Sequence, residues 1–91
     1  MITVKKINDR TFEVIVAGKT TTTHRVTVDP AYHEKLAVGH ISAEELVEKS
    51  FEFLLKRESN TSILRTFELP IIGRYFPEYE TTIRKMFKMP A

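Results

Sequence analysis

The stretch that decides the fold is Thr20-Thr21-Thr22-Thr23-His24-Arg25-Val26-Thr27-Val28-Asp29-Pro30. Up to Val28 it is rich in β-branched residues, which suit the pleated surface of a sheet. Asp29 is a typical helix N-cap. Pro30 is a typical first helical residue, because proline lacks the amide hydrogen that would be unpaired there and its φ is already helical. The chain is therefore predicted to change from strand to helix at Asp29.

Two more strands are predicted before this stretch, Ile2 to Ile7 and Thr11 to Val16, separated by a turn at Asn8-Asp9-Arg10. A three-residue loop around Gly18, pairing Val16 with Thr20, puts the valines of neighbouring strands on one face. The predicted inner face, towards the helices, carries Ile2, Val4, Phe12, Val14, Val16, Val26 and Val28. The predicted outer face carries Thr3, Lys5, Glu13, Ile15, Thr21, Thr23, Arg25 and Thr27.

Two helices are predicted after Asp29. The first runs from Pro30 to about Val38 and is ended by Gly39, a residue that tolerates positive φ beyond a helix terminus. The second begins at the capping box Ser42-Ala43-Glu44-Glu45 and continues to about Arg57. Its apolar residues cover an arc of roughly 200°, which predicts burial on two sides. They are Leu46, Val47, Phe51, Phe53, Leu54 and Leu55.

The rest of the chain is predicted to form a turn that starts at Asn60 or Thr61 and carries Ile63, Leu64 and Phe67. Short helices are predicted from Pro70 to Phe76 and from Pro77 to about Phe87. The predicted fold is α+β and two-layered, a three-stranded antiparallel sheet followed by three or four helices in the order βββααα. Residues 1–91 are expected to form a single domain, with a β meander over 1–28 and a helical part over 29–91.

Composition removes several classes of function. The chain has no cysteine, which excludes disulfides and thiolate chemistry. No apolar run approaches the roughly 20 residues that span a bilayer, so no membrane partner and a cytoplasmic location are expected. The net charge of +2 is too small to indicate nucleic acid by itself.

No catalytic, cofactor or metal site is predicted. His24, His33 and His40 do not have the spacing of a helical metal pair, and the three glycines do not form a phosphate-binding loop. The aromatic segment Arg74-Tyr75-Phe76-Pro77-Glu78-Tyr79 resembles a base-stacking surface, but core packing at a helix start explains it better. A small enzyme of unknown reaction is therefore only the third hypothesis.

Residues 24–57, a strand, a helix, a small turn with a cap and a second helix, resemble a ribbon-helix-helix module. In that family the strand pairs antiparallel with that of a dimer mate, and its outward residues enter the DNA major groove. The resemblance implies a base-reading role for Thr23, Arg25 and Thr27. It departs from the family in a shorter first helix, in a preceding hairpin strand beside the ribbon, and in about thirty residues after the second helix.

The leading hypothesis is a small non-enzymatic interaction or regulatory module. It binds a protein partner or its own copy, as a homo-oligomer, through Thr21, Thr23, Arg25 and Thr27 of the outer face or through the edge of that strand. The alternative is a ribbon-helix-helix-like DNA-binding regulator of the antitoxin type. The sequence leaves open the partner, the oligomeric state and the pathway.

Overall fold

The computed structural model describes residues 1–36 and 41–88, with no description of the Lys88 side chain. The predicted helix end at Val38, the predicted role of Gly39 and the placement of His40 lie outside these ranges. The strands are β1 (Ile2–Lys6), β2 (Thr11–Val16), β3 (Thr22–Thr27) and β4 (Thr66–Glu68). The helices are α1 (Pro30–Leu36), α2 (Ala43–Leu55), α3 (Ile71–Tyr75) and α4 (Tyr79–Lys88), and a 3₁₀ turn spans Asn60–Ser62.

The sheet has four strands in the order β1-β2-β3-β4. The first two pairings are antiparallel, but β4 runs parallel to β3 with Phe67 opposite Val26. The α+β class is confirmed, whereas the prediction of three strands in a purely antiparallel sheet is wrong. The fourth strand is only three residues long, and it forms because the chain returns past α1 and α2 to the open side of β3.

The loop between β2 and β3 also differs from the prediction. Val16 lies opposite Thr22 rather than Thr20, which makes the connection two residues longer on the β3 side. The Asn60 side chain stabilises the wider loop, since its Nδ2 donates to the carbonyl oxygen of Thr20 over 2.7 Å. Because side chains alternate with a period of two, a shift of two residues leaves every side chain on its predicted face.

The core lies between the inner face of the sheet and the helices. All of the valines and the phenylalanine predicted to point inward from β2 and β3 are buried, and Ile2 and Val4 pack against them from β1. Helix α2 is buried on two sides, as predicted. Phe51 meets the sheet near His24, and Phe53 meets Tyr79 of α4 with ring centroids 5.3 Å apart.

The predicted starts of α1 and α2 are confirmed by their caps. Ser42 Oγ accepts a hydrogen bond from the Glu45 amide at 3.1 Å. Asp29 Oδ1 accepts one from the Ala31 amide at 2.9 Å, which leaves Pro30 as the first helical residue. These side chains replace the carbonyl partners that the first turn of a helix lacks.

Helix α4 is held to α2 by a buried polar contact as well as by apolar packing. Ser50 Oγ and the Tyr79 hydroxyl lie 2.7 Å apart, and Ser50 Oγ also donates to the carbonyl oxygen of Leu46. Burial raises the pKa of Tyr79 well above its usual range, so this phenol stays protonated and hydrogen-bonded at all ordinary pH values.

Candidate interaction surfaces

The outer face of the sheet has no helix packed on it within residues 1–36 and 41–88. All four helices lie on the other side, where they cover the buried inner face. Thr23 and Arg25 are exposed and Thr27 is half-buried, so three of the four predicted partner-binding residues share one side of β3. The fourth, Thr21, is exposed in the loop immediately before the strand, not on the strand as predicted. The alternation that this prediction required is present, because Val26 between Arg25 and Thr27 is 0% exposed.

The strand register places outer-face residues in rows across the sheet. Lys5, Glu13, Arg25 and Thr66 are successive neighbours in one row, each on its own strand. Cross-strand neighbours lie about 5 Å apart, so the acid stands between two cations. The face therefore offers hydroxyl groups and a guanidinium as hydrogen-bond donors, with partial neutralisation of its positive charge by Glu13.

β2 pairs with β3 along its whole length on one edge, and β4 pairs with Arg25–Thr27 on the other. Pairing of β3 with a second copy, as in a ribbon-helix-helix dimer, would require release of one of these neighbours. The same is true of strand addition at β3. The face of β3 is open in the monomer, whereas its edges are paired with strands everywhere except along Thr22–His24 on the β4 side.

His24 lies on the inner face and is held by two hydrogen bonds. Its Nδ1 is 2.8 Å from the carbonyl oxygen of Leu64, which can only accept, so Nδ1 carries the proton. Its Nε2 then accepts from the Thr22 hydroxyl at 2.8 Å. Burial lowers the pKa of His24; the hydrogen bond to Leu64 opposes this shift, and the nearby Arg65 charge adds to it. This histidine therefore joins β3 to Leu64, two residues before β4, as a neutral structural group.

The other histidine that the structure describes, His33, also makes a structural contact. His33 Nε2 lies 2.7 Å from the carbonyl oxygen of Ile41, a contact that holds α1 to the start of α2. In the described ranges, no group of three or more metal-ligating side chains comes together. Every buried side-chain nitrogen or oxygen there has a hydrogen-bond partner, so none is left aimed at an absent ligand.

A second surface, which the sequence reasoning missed, lies beside β4. We define the β4 groove by Leu64, Phe67, Ile71, Tyr75 and Phe76, which line an open cavity of about 250 Å³. Leu64 is 47% exposed and Tyr75 is 65% exposed, so two large apolar side chains stand in solvent at its rim. A second depression, of about 450 Å³, continues from the groove past Thr66, Glu68 and Arg74.

The aromatic segment Arg74–Tyr79 begins with the last two residues of α3, and core packing was predicted for its aromatic side chains. Phe76 and Tyr79 do pack, and the Arg57 guanidinium lies 3.6 Å from the centre of the Phe53 ring while its Nε contacts Glu78. Tyr75 instead points outward. The sequence pattern could not show that Tyr75 is exposed while its neighbours are packed, because α3 is only five residues long and has too little periodicity.

Models of known protein families, curated proteins and solved structures were each compared with this chain, and none of the three comparisons gives a match. Among the helices that the structure describes, none has the length and apolar character needed to cross a bilayer. The outer face and the β4 groove are therefore the two features of the molecule that bear on its function.

Proposed function

We propose that this protein is a small non-enzymatic interaction module that binds a protein partner through Thr21, Thr23, Arg25 and Thr27 of its outer face. The observation that supports the proposal is the uncovered side of β3. A two-layer domain normally buries one face of its sheet, and the other face is the one left for solvent or for a partner.

The chemistry of the surface favours a polar partner surface. Threonine hydroxyls donate and accept, and the guanidinium of Arg25 donates in a planar fork that fits carboxylates. Ile15, half-buried beside Thr23 in the same row, supplies an apolar centre. A small apolar centre with a hydrogen-bonding rim is a common composition for a protein interface.

The proposal is tested by recovering bound proteins from native lysate with the wild type and with a Thr23→Lys, Thr27→Lys double variant. The two new ammonium groups stand on the outer face, where they add charge and bulk. The matched control is Thr61→Lys with Thr81→Lys, which makes the same charge change at two exposed threonines away from the sheet.

The expected result is a partner that binds the wild type and the control and is lost from the outer-face variant. Its contact with the face is then checked by placing a photo-crosslinking residue at Thr23, and at Thr81 for comparison. Equal recovery by all three proteins, or crosslinking from position 81 alone, would contradict the proposal.

DNA binding by the same face is the second candidate, and its support is the pair of cations Lys5 and Arg25 in one row. Affinity for duplex DNA should then fall steeply with salt and weaken on Arg25→Ala, because each neutralised phosphate releases counterions. Absence of any binding to random duplex at low salt would remove this candidate. It would leave the protein-partner proposal unaffected.

A further inference from the structure

We infer that the outer edge of β4 and the β4 groove are a dimer interface, and that the partner seated there is a second copy of this chain. This inference concerns a different strand from the proposed outer-face site, with which it shares one side chain, that of Arg25. It does not depend on whether that face binds another protein.

The backbone groups of β4 point to both sides of the strand, and only one side is paired with β3. On the side of β3, the Arg65 carbonyl accepts from the Arg25 amide at 2.7 Å and the Leu69 amide donates to the Thr27 carbonyl at 3.0 Å. Successive residues of a strand direct their amide and carbonyl groups to opposite sides. The groups of Thr66 and Glu68 therefore point away from β3, where the described part of the chain places no neighbouring strand.

These groups fit an antiparallel copy of the same strand. With a two-fold axis at Phe67, Thr66 of one copy lies opposite Glu68 of the other, and the reverse pair is generated by the symmetry. Both residues direct their backbone groups outward, so each pair is of the hydrogen-bonded kind and the strand pair gains about four hydrogen bonds. The two sheets then join into one continuous sheet.

The side chains on the outer face are complementary in charge in this register. Arg25 is the neighbour of Thr66 in its row, and Glu68 of the second copy is next in the same row. Two strand spacings separate Arg25 from that glutamate, about 9.6 Å between backbones, which the two long side chains can span. The two-fold axis gives a second, equivalent pair of opposite charges.

The apolar contacts between the two copies would form at the β4 groove. The same register sets Leu64 of one copy against Pro70 of the other, at the start of α3 and beside Ile71 and Tyr75. A two-fold interface must carry both a protruding group and the space that receives it on the same surface. Leu64 protrudes and the groove is open, so the exposed surfaces of Leu64 and Tyr75 are buried against their counterparts.

The other free edge in the described part of the sheet is less suited to this role. It belongs to β1, which ends in the exposed cations Lys5 and Lys6. Charged side chains, and lysine above all, are the usual protection of an edge strand against pairing. The two edges thus provide a test and its matched control.

The test measures the dissociation constant of the dimer by analytical ultracentrifugation for the wild type, Thr66→Pro and Lys6→Pro. Each proline removes an amide that points away from the rest of the sheet, so both variants keep their pairing with β3 or β2. Thr66→Pro is expected to raise the dissociation constant at least about tenfold, and Lys6→Pro to leave it unchanged. Circular dichroism and thermal unfolding check that each variant is folded.

A charge reversal supplies a second measurement that does not depend on proline. Glu68→Arg is expected to weaken the dimer, and Arg25→Glu combined with Glu68→Arg to restore it. Because the chain has no cysteine, Thr66→Cys with Glu68→Cys adds a direct check of the register. The paired backbones would lie about 5.5 Å apart, within disulfide range, so oxidation should give a covalent dimer.

A wild type that stays monomeric at millimolar concentration would overturn the inference, as would a dimer that folded Thr66→Pro does not weaken. Neither result touches the outer-face proposal, because Thr66→Pro leaves Thr21, Thr23, Arg25 and Thr27 in place. The Thr23→Lys, Thr27→Lys variant gives the converse comparison. If it loses a heterologous partner but still dimerises, partner binding and dimerisation use different surfaces.

Discussion

Thr22 and Thr23 are neighbours on β3, but their side chains lie on opposite faces of the sheet. Thr22 is buried and donates its hydroxyl hydrogen to the buried His24, whereas Thr23 is exposed in the middle of the outer face. The same residue type therefore stabilises the fold on one face and is available to a partner on the other. Position in the alternation, rather than residue type, decides which substitutions affect stability and which affect binding.

The largest effect should come from removing an inward aromatic side chain. Phe12→Ala deletes a ring that is fully buried at the centre of the sheet, and it should lower the free energy of unfolding by about 3–5 kcal/mol. Ile15→Ala, on the outer face of the same strand, should cost less than about 1 kcal/mol. Urea unfolding measures the free energy of unfolding of both variants. Equal losses would mean that the inner and outer faces of β2 are equally well packed, which would contradict the comparison.

Thr22→Val tests the inward threonine without changing its shape. The substitution leaves Nε2 of His24 buried without a donor, which should cost about 1–3 kcal/mol. Thr23→Val should stay within about 0.5 kcal/mol of the wild type because its hydroxyl is exposed to water. Thermal unfolding of the pair gives the difference directly, and a Thr23 variant as destabilised as the Thr22 variant would contradict the comparison.

Acid should destabilise the inner face through His24. The pKa of His24 is lower in the folded protein than in the unfolded chain, where it is about 6.5. Below about pH 6.5 the unfolded chain therefore binds a proton at this imidazole more readily than the folded protein does. The contribution to stability is therefore complete above about pH 6.5. It is lost as the pH falls towards the folded pKa, at no more than about 1.4 kcal/mol per pH unit.

The measurement is urea unfolding from pH 8 to 5, compared with a His24→Gln variant that removes this group, together with titration of the imidazole by NMR. The variant should show a flatter dependence between pH 6.5 and 5. A His24 ring that titrates at or above 6.5 in the folded protein would show that its burial does not favour the neutral form.

The smallest effect should come from Arg25, one of the charged residues of the outer face. Arg25→Ala removes an exposed side chain with no intramolecular salt bridge among the described residues, and it should change the free energy of unfolding by less than about 0.5 kcal/mol. Binding to a partner of the outer face should weaken at the same time. A loss of stability above 1 kcal/mol would mean that Arg25 also supports the fold.

Local pattern was sufficient for the features that depend on local chemistry. The inward and outward sets of β1, β2 and β3 follow from alternation, and the starts of α1 and α2 follow from Asp29-Pro30 and from the Ser42 capping box. The loop after β2 was two residues longer than predicted because Asn60, far along the chain, binds the carbonyl of Thr20. The sequence around Gly18 gives no indication of that contact.

The β4 groove could not be predicted for the same reason. Thr66-Phe67-Glu68 alternates as a strand should, but three residues carry too weak a signal, and Ile63, Leu64 and Leu69 on either side obscure it. Two helices, α1 and α2, separate β4 from its partner β3 in the sequence. The free edge and the exposed Tyr75 exist only because of that distant pairing, so they become visible only in the folded chain.

The order of the strands along the chain has a consequence during translation. The side of β3 that β4 finally occupies stays uncovered until the ribosome has completed both intervening helices and the residues up to Glu68. A nascent or truncated chain ending before that point exposes the valine-bearing strand along its full length, the kind of edge that recruits other strands. Fragments that stop at α2 should therefore aggregate during synthesis more readily than the chain that includes β4, in which Arg25–Thr27 of this edge are already paired.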